Sequence, residues 1–132
     1  MGKKIIATDG APRAIGPYCQ AILEEHGGRR TLWCAGQIAL DPVSMEIVPG
    51  DARAHAERVM RNVEAVLAAG EMSLSDVVRA TIYVADLADL PAVNEVYGSR
   101  FFGTPPPRST VQVAAIPRGS RVEIEVTAVR GQ

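Results

Sequence analysis

The run Arg121-Val122-Glu123-Ile124-Glu125-Val126-Thr127-Ala128-Val129 decides the fold. Its strict two-residue alternation puts Val122, Ile124, Val126 and Ala128 on one face of a strand and Glu123, Glu125 and Thr127 on the other. A strand patterned in this way is covered on one side only. What covers it lies upstream. From Ala52 to Ala69 the residues Ala52, Ala56, Val59, Met60, Val63, Val66 and Leu67 recur at helical spacing, while Arg53, Glu57, Arg61 and Glu64 take the opposite face. Asp51 suits the N-cap of that helix and Gly70 its stop, and its length, about 27 Å, lets it lie along a sheet. His55 falls off the main apolar stripe, so a solvated or edge position is expected. A second helix is predicted from Leu90 to Phe102, with Pro91 in its first turn and Gly103 at its end.

Around the helices lie further strand patterns. Ala21 to Glu25 and Arg30 to Gly36 flank His26-Gly27-Gly28-Arg29, a hairpin whose glycines can supply positive φ. Val77 to Ala85 alternates Val78, Ala80, Ile82 and Val84 with Val77, Arg79, Thr81 and Tyr83. Ser109 to Ala115 is expected to pair with Arg121 to Val129, and Lys3 to Ile6 to add a short edge strand. The order is β-β-β-α-β-α-β-β, an α+β domain with two helices on one face of the sheet. Two helices cover one face, and the other still carries Val, Ala and Tyr, so packing of that face on other subunits is inferred.

The 132 residues fit one domain, residues 1–132, large enough to bury about two-thirds of the surface of its unfolded chain. Fourteen basic against fifteen acidic side chains give a net charge of −1, which provides no electrostatic footprint for nucleic acid or an anionic membrane. The N-terminus has no apolar run of the signal-peptide kind, and a soluble, cytoplasmic protein is expected. Cys19 and Cys34 are too few for a disulfide scaffold and are read as reduced packing thiols. With only His26 and His55 to join them, and no HxH, HExxH or CxxC spacing, no metal centre is expected.

Two places carry candidate chemistry. In Gly103-Thr104-Pro105-Pro106-Pro107-Arg108-Ser109-Thr110 the three prolines make a stiff, polyproline-like arm that delivers Arg108 to a strand already held in place. A guanidinium fork matches a carboxylate bidentately, which suits capture of a small acid. The alternative is an arginine in an ordinary surface ion pair. Glu123 and Glu125 form the second place. Near a subunit seam, desolvation would raise a carboxyl pKa toward the range useful for acid/base work, whereas on a free surface both glutamates would be solvated cross-strand ion-pair partners.

Five ordered motifs carry a resemblance to a known family: Ala14-Ile15-Gly16-Pro17-Tyr18-Cys19-Gln20-Ala21, Gly36-Gln37-Ile38-Ala39-Leu40-Asp41-Pro42, Val93-Asn94-Glu95-Val96-Tyr97, Pro107-Arg108-Ser109 and Val122-Glu123-Ile124-Glu125. Nearly end to end, the chain resembles the Rid (reactive intermediate deaminase, or YjgF) family of enamine and imine deaminases. The resemblance implies a chorismate-mutase-like fold and a homotrimer with a central barrel of sheets, with an active site in each cleft between subunits. It puts the carboxylate-binding arginine at Arg108, the water-positioning glutamate at Glu123 and the Gly-Pro-Tyr tyrosine at Tyr18, with Gly36, Ser109 and Thr110 completing the pocket. The implied reaction hydrolyses 2-aminoacrylate, through its imine tautomer 2-iminopropanoate, to a 2-oxo acid and ammonia without a cofactor. The chain departs from the family pattern at Pro107, where alanine is common, at Thr110, where Cys, Ala or Val is frequent, and at Ala35, where serine is frequent. Ser44-Met45 replaces the usual Thr-Gly turn. Two other classes stay open at this stage: a sensor that binds 2-oxo acids without turning them over, and a ribonuclease or translation inhibitor. The charge balance and the lack of a basic, aromatic-studded face argue against the last.

Overall fold

In the computed structural model, which describes residues 2–131, the decisive strand lies near the middle of the sheet. The elements are β1 (Gly2–Ile6), β2 (Ala21–His26), β3 (Arg29–Cys34), α1 (Ala52–Ala69), β4 (Val77–Val84), α2 (Leu90–Ser99), β5 (Arg108–Gln112) and β6 (Val122–Gly131). Their order across the sheet is β1-β2-β3-β6-β4-β5. Every pairing is antiparallel except β4 with β5, which runs parallel because α2 carries the chain back across the sheet. The architecture is thus a mixed six-stranded sheet with two helices, α+β. Val122, Ile124, Val126 and Ala128 of β6 are buried in one core with Val59, Met60, Val63 and Val66 of α1 and Val93 and Val96 of α2. Glu123, Glu125 and Thr127 stand half-buried on the opposite face, so the alternation of the sequence is the alternation of the fold.

α1 spans the predicted residues. Asp51 Oδ1 accepts from the Ala54 N–H at 3.0 Å, and the Gly70 N–H closes the far end on the carbonyls of Val66 and Leu67. The β2–β3 hairpin closes through Gly27 and Gly28 at φ 59° and 78°, both in the left-handed region that the glycine pair supplies without strain. Met45 also takes φ 60°, the conformation that a glycine of the family's Thr-Gly turn would adopt freely.

Four expectations change. β5 and β6 are not neighbours: β4 lies between them, paired with both. The nine residues between Gln112 and Val122 are too many for a tight hairpin and let the chain cross one strand. Second, the alternation along β4 is broken by a bulge between Val77 and Arg79, so Val77 is buried with Ala80, Ile82 and Val84 while Val78 is 46% exposed. Third, α2 ends at Ser99, not Phe102. The N–H groups of Arg100 and Phe101 turn to the carbonyls of Tyr97 and Gly98 in a tighter last turn, which leaves Phe102 wholly exposed.

The fourth change is His55, which is buried. It sits three residues after Ala52 and four before Val59, on the buried stripe, and both its nitrogens are used. The Arg121 N–H donates to Nδ1 at 3.1 Å, which fixes the proton on Nε2 for donation to the Val48 carbonyl at 3.0 Å. Asn62, one helical face along, donates to the carbonyls of Ile38 and Leu40. Two buried polar side chains of α1 thereby staple the 38–48 segment and the start of β6. Burial holds the His55 pKa below its usual value, with Arg121 adding to the depression. A histidine kept neutral by the fold contributes stability that is present above pH 6.5 and lost as pH falls from there through its folded pKa, because the unfolded chain takes up the proton first. Urea melts between pH 7.5 and 5.5 should therefore show a falling midpoint, and His55→Asn should flatten that dependence; an unchanged slope in the variant would exclude His55 as its source.

Among the described residues no helix is long and apolar enough to cross a membrane.

Candidate active site

Arg108 opens β5, in register with Ala80 of β4. The prolines before it leave no backbone freedom to swing it, and the Pro107 carbonyl is tied to the Ala80 N–H at 3.1 Å. The side chain is held as well. One guanidinium nitrogen donates to Asn94 Oδ1 of α2, and the guanidinium carbon lies 5.1 Å from the centre of the Tyr97 ring. Tyr97 is itself buried and packed against Phe101, with ring centres 4.8 Å apart. Among the described residues no carboxylate pairs with Arg108, whereas Arg30, Arg53, Arg121 and Arg130 each have one and Arg100 has two; Arg13, Arg29, Arg58, Arg61, Arg79 and Arg118 share its lack of a carboxylate, but only Arg108 is stacked on an aromatic ring. Within the chain Arg108 therefore makes no ion pair, and its half-buried fork, oriented by an amide and an aromatic face, has donors left over.

Glu123 stands on the other face of the sheet. Its carboxylate lies against Gly36: a Cβ at that position would sit 2.3 Å from Glu123 Oε2. Any side chain there would push the Glu123 carboxylate aside, so the glycine of the Gly36-Gln37 motif is what lets that carboxylate take this position. The approach is fixed by backbone bonds on both sides of Gln37, whose N–H donates to the Ile124 carbonyl at 2.9 Å and whose carbonyl accepts from the Ile124 N–H at 3.0 Å. Ile15, Tyr18, Ala35, Gly36 and Glu123 then line a cleft of about 240 Å³. The Tyr18 ring lies over Gly16, and its hydroxyl oxygen accepts from the Ile15 N–H at 3.2 Å, so its proton is free to be donated into the cleft. The loop that carries Tyr18 is pinned by Gln20, which donates to the carbonyls of Thr8, Ala11 and Pro12 and accepts from the Thr8 N–H.

Burial raises the Glu123 pKa above the usual carboxylate range, and the nearby charge of Glu125 adds to the rise. The two acids differ in their partners. Glu125 accepts the Tyr83 hydroxyl at 2.5 Å, whereas no hydrogen bond or cation reaches the Glu123 carboxylate among the described residues. The Cys34 thiol is pushed up to about 12 by burial, an inert packing group.

Of the residues named from the sequence, Tyr18, Gly36 and Glu123 meet in one cleft. Ser109 shares the open face with Thr81 and accepts from Arg79 at 2.7 Å, away from that cleft. Arg108 and Thr110 share the helix-side register of Ala80 and Ile82. With β4 between them and three residues of offset, Arg108 and Glu123 have Cα atoms about 14 Å apart on opposite faces. Within one chain the two do not meet. Asn94 and Tyr97, which the sequence reading quoted in a motif without giving them a role, are the residues that hold Arg108.

The family model described as Endoribonuclease L-PSP matches residues 8–130. The protein DfrA of Myxococcus xanthus is 55% identical over 129 residues, a match covering 98% of this chain and 97% of DfrA. A Mus musculus protein named 2-iminobutanoate/2-iminopropanoate deaminase is 44% identical over 129 residues, covering 98% of this chain and 93% of its own. The crystal structure of RidA from a Psychrobacter species is similar with a TM-score of 0.86 at 40% identity, covering 95% of this chain and 98% of that one. Matched over nearly its whole length, the chain belongs to the Rid (YjgF) family, whose model carries the Endoribonuclease L-PSP description.

Proposed function

We propose that this protein is an imine deaminase that hydrolyses 2-aminoacrylate and related 2-imino acids to 2-oxo acids and ammonia. The observation that carries the reading is the unpaired guanidinium of Arg108, oriented before any ligand arrives. Both carboxylate oxygens of a 2-imino acid can take its fork, which fixes the C2 carbon relative to the sheet. Water then adds to C2 as Glu123 takes its proton. Return of that proton to nitrogen gives the carbinolamine; the second proton of the water, now on its hydroxyl, passes through Glu123 to nitrogen, the C–N bond breaks, ammonia leaves and the C2=O bond forms, so one imine and one water give one 2-oxo acid and one ammonia. The imine is already electrophilic, and the reaction needs no cofactor. Tyr18, Gly36, Ser109 and Thr110 are proposed to shape the pocket around it.

Because Arg108 and Glu123 occupy opposite faces of one chain, the proposed site is completed across subunits, Arg108 from one and the Tyr18–Gly36–Glu123 cleft from the next. The open face of the sheet supports this: Trp33 and Val111 are 52% and 42% exposed there beside half-buried Tyr83 and Thr127. A homotrimer around that face, each chain one domain, gives three equal seams. Free Cys19 and Cys34 suit a reducing cytoplasm.

The endoribonuclease description of the family finds no support in the side chains of this chain. His55 is buried with both nitrogens bonded, His26 lies at the tip of a hairpin, and the net charge of −1 gives no reason for RNA to be held. A sensor of 2-oxo acids would need Arg108 but not an unpaired, desolvated Glu123. The test is release of pyruvate or 2-oxobutanoate when a lyase or dehydratase generates the imine in situ, read as an excess over buffer because spontaneous hydrolysis is fast, with the mass measured by light scattering. Excess turnover by a particle of three chains is expected. Binding of 2-oxo acids without excess turnover would establish the sensor, and a stable, active monomer at micromolar concentration would remove the intersubunit site.

A further inference from the structure

Glu123 lies between two cavities. On one side is the cleft with Tyr18 and Gly36; on the other is a recess of about 200 Å³ lined by Tyr83, Val113, Ala115, Ile116, Glu123 and Glu125. Tyr83 is the direct cross-strand partner of Glu123, and Glu125 that of Thr81, so the phenol reaches diagonally past its own partner to bond the second acid. The two carboxylates are about 7 Å apart along β6 and face the same way. They are held unequally. Glu125 receives an O–H donor, which favours its charged form, while Glu123 receives none and has the Gly36 backbone against it. Tyr83 gives up its proton less readily for the same reason, the bond to Glu125 being the first cause.

We infer that Tyr83 and Glu125 are positioning residues for Glu123: the phenol holds the Glu125 carboxylate in one place beside Glu123, so that Glu123 is the acid left free to exchange the proton at this end of the site. A carboxylate fixed nearby makes Glu123 a stronger base than burial alone would. The groups facing Glu123 from the elements around it are Tyr83 on β4, Glu125 on β6 and Tyr18 across the cleft. The arginines of the neighbouring strand and turn are engaged elsewhere, Arg79 with Ser109 and Arg118 with the Met45 carbonyl. Within one chain no cation among the described residues competes with Glu125 in setting the charge felt by Glu123; the neighbouring subunit's Arg108, which the proposed site brings to this cleft, is common to wild type and variants, so the test reads the difference between them. The inference deepens the deaminase reading by naming what tunes its base, but the arrangement is a property of the folded chain with or without substrate.

Its test is a site-resolved carboxyl carbon NMR titration of the full-length protein, read without substrate and hence independent of the reaction assigned to the site. Glu123 should titrate above the usual carboxylate range. Glu125→Gln, nearly isosteric, should lower the Glu123 midpoint by about one pH unit by removing a like charge about 7 Å away. Tyr83→Phe should lower it by a smaller amount, because the Glu125 carboxylate is no longer held beside Glu123. In deaminase assays the acid limb of the kcat/KM profile should follow the Glu123 midpoint in each variant. A Glu123 midpoint unmoved in Glu125→Gln, or left at the wild-type value in Tyr83→Phe, would overturn the inference.

Discussion

Arg108→Ala is expected to lower kcat/KM for 2-iminopropanoate hydrolysis by about 10²- to 10³-fold. The estimate follows from what a half-buried guanidinium does for a carboxylate: a bidentate, charge-assisted contact whose loss costs on the order of 2–4 kcal/mol. Arg108→Lys keeps the charge and loses the fork, so it should be impaired less deeply, with weaker binding of 2-oxo acid analogues. Asn94→Ala should be milder again, because the Tyr97 ring still supports one face of the guanidinium and only the hydrogen bond to Oδ1 is lost. The graded order Ala, Lys, then the Asn94 variant separates a positioned receptor from a diffuse positive charge. If Arg108→Ala retained full activity above the spontaneous rate, the deaminase mechanism would be wrong.

The place of Asn94 in that order could not have been written from the sequence. Arg108 was visible there because three prolines leave a stiff arm that must point somewhere, and a stiff arm ending in arginine is an economical way to hold one. The residues that hold its head sit on α2, and only the return of the chain through a parallel β4–β5 pairing brings them over it. The same topology hid the separation of Arg108 from Glu123. A β5–β6 hairpin would have put the two on neighbouring strands, but the interposed β4 sends them to opposite faces. Periodicity served best where one physical pattern dominates. α1 has its caps and an uninterrupted stripe, and β6 alternates without a break from Val122 to Ala128. It failed where a local choice overrode the pattern, at the bulge that turns Val78 outward and at His55, whose buried ring is tolerated because two backbone groups satisfy it. Gly36 marks the limit of such reading. Its motif was recognisable, but that its missing side chain makes room for a carboxylate far along the sequence is a fact of three dimensions.

Glu123→Gln carries the second large expectation: turnover lost by about 10²- to 10⁴-fold with binding of 2-oxo acid analogues kept, because a carboxamide can hydrogen-bond water but cannot take its proton. The pH dependence has a definite sign. Burial raises the Glu123 pKa, first, and the Glu125 charge raises it further, so the base form is lost at higher pH than an ordinary glutamate would lose it, and kcat/KM should fall on the acid side from that raised value downward. Stability should move the other way. A carboxyl with a raised folded pKa favours folding when protonated and opposes it once ionised, so wild type gives up stability as pH rises from the unfolded pKa through the folded one. Glu123→Gln removes that cost, and at pH 8 its thermal midpoint should lie above that of wild type while its turnover is gone. Gly36→Ala tests the same site from the backbone side: its Cβ, 2.3 Å from Oε2 in the present geometry, must displace the carboxylate, so it should lose turnover with Glu123 still in place. Glu125→Gln should lose far less on the alkaline plateau of the profile and show its effect mainly in the position of the acid limb. Should Glu123→Gln be less stable than wild type at pH 8, its carboxylate would be held by a favourable partner, and the description of an unpaired base waiting against Gly36 would have to be abandoned. Should Glu125→Gln abolish turnover while Glu123→Gln leaves it intact, the roles of the two acids on β6 would be reversed.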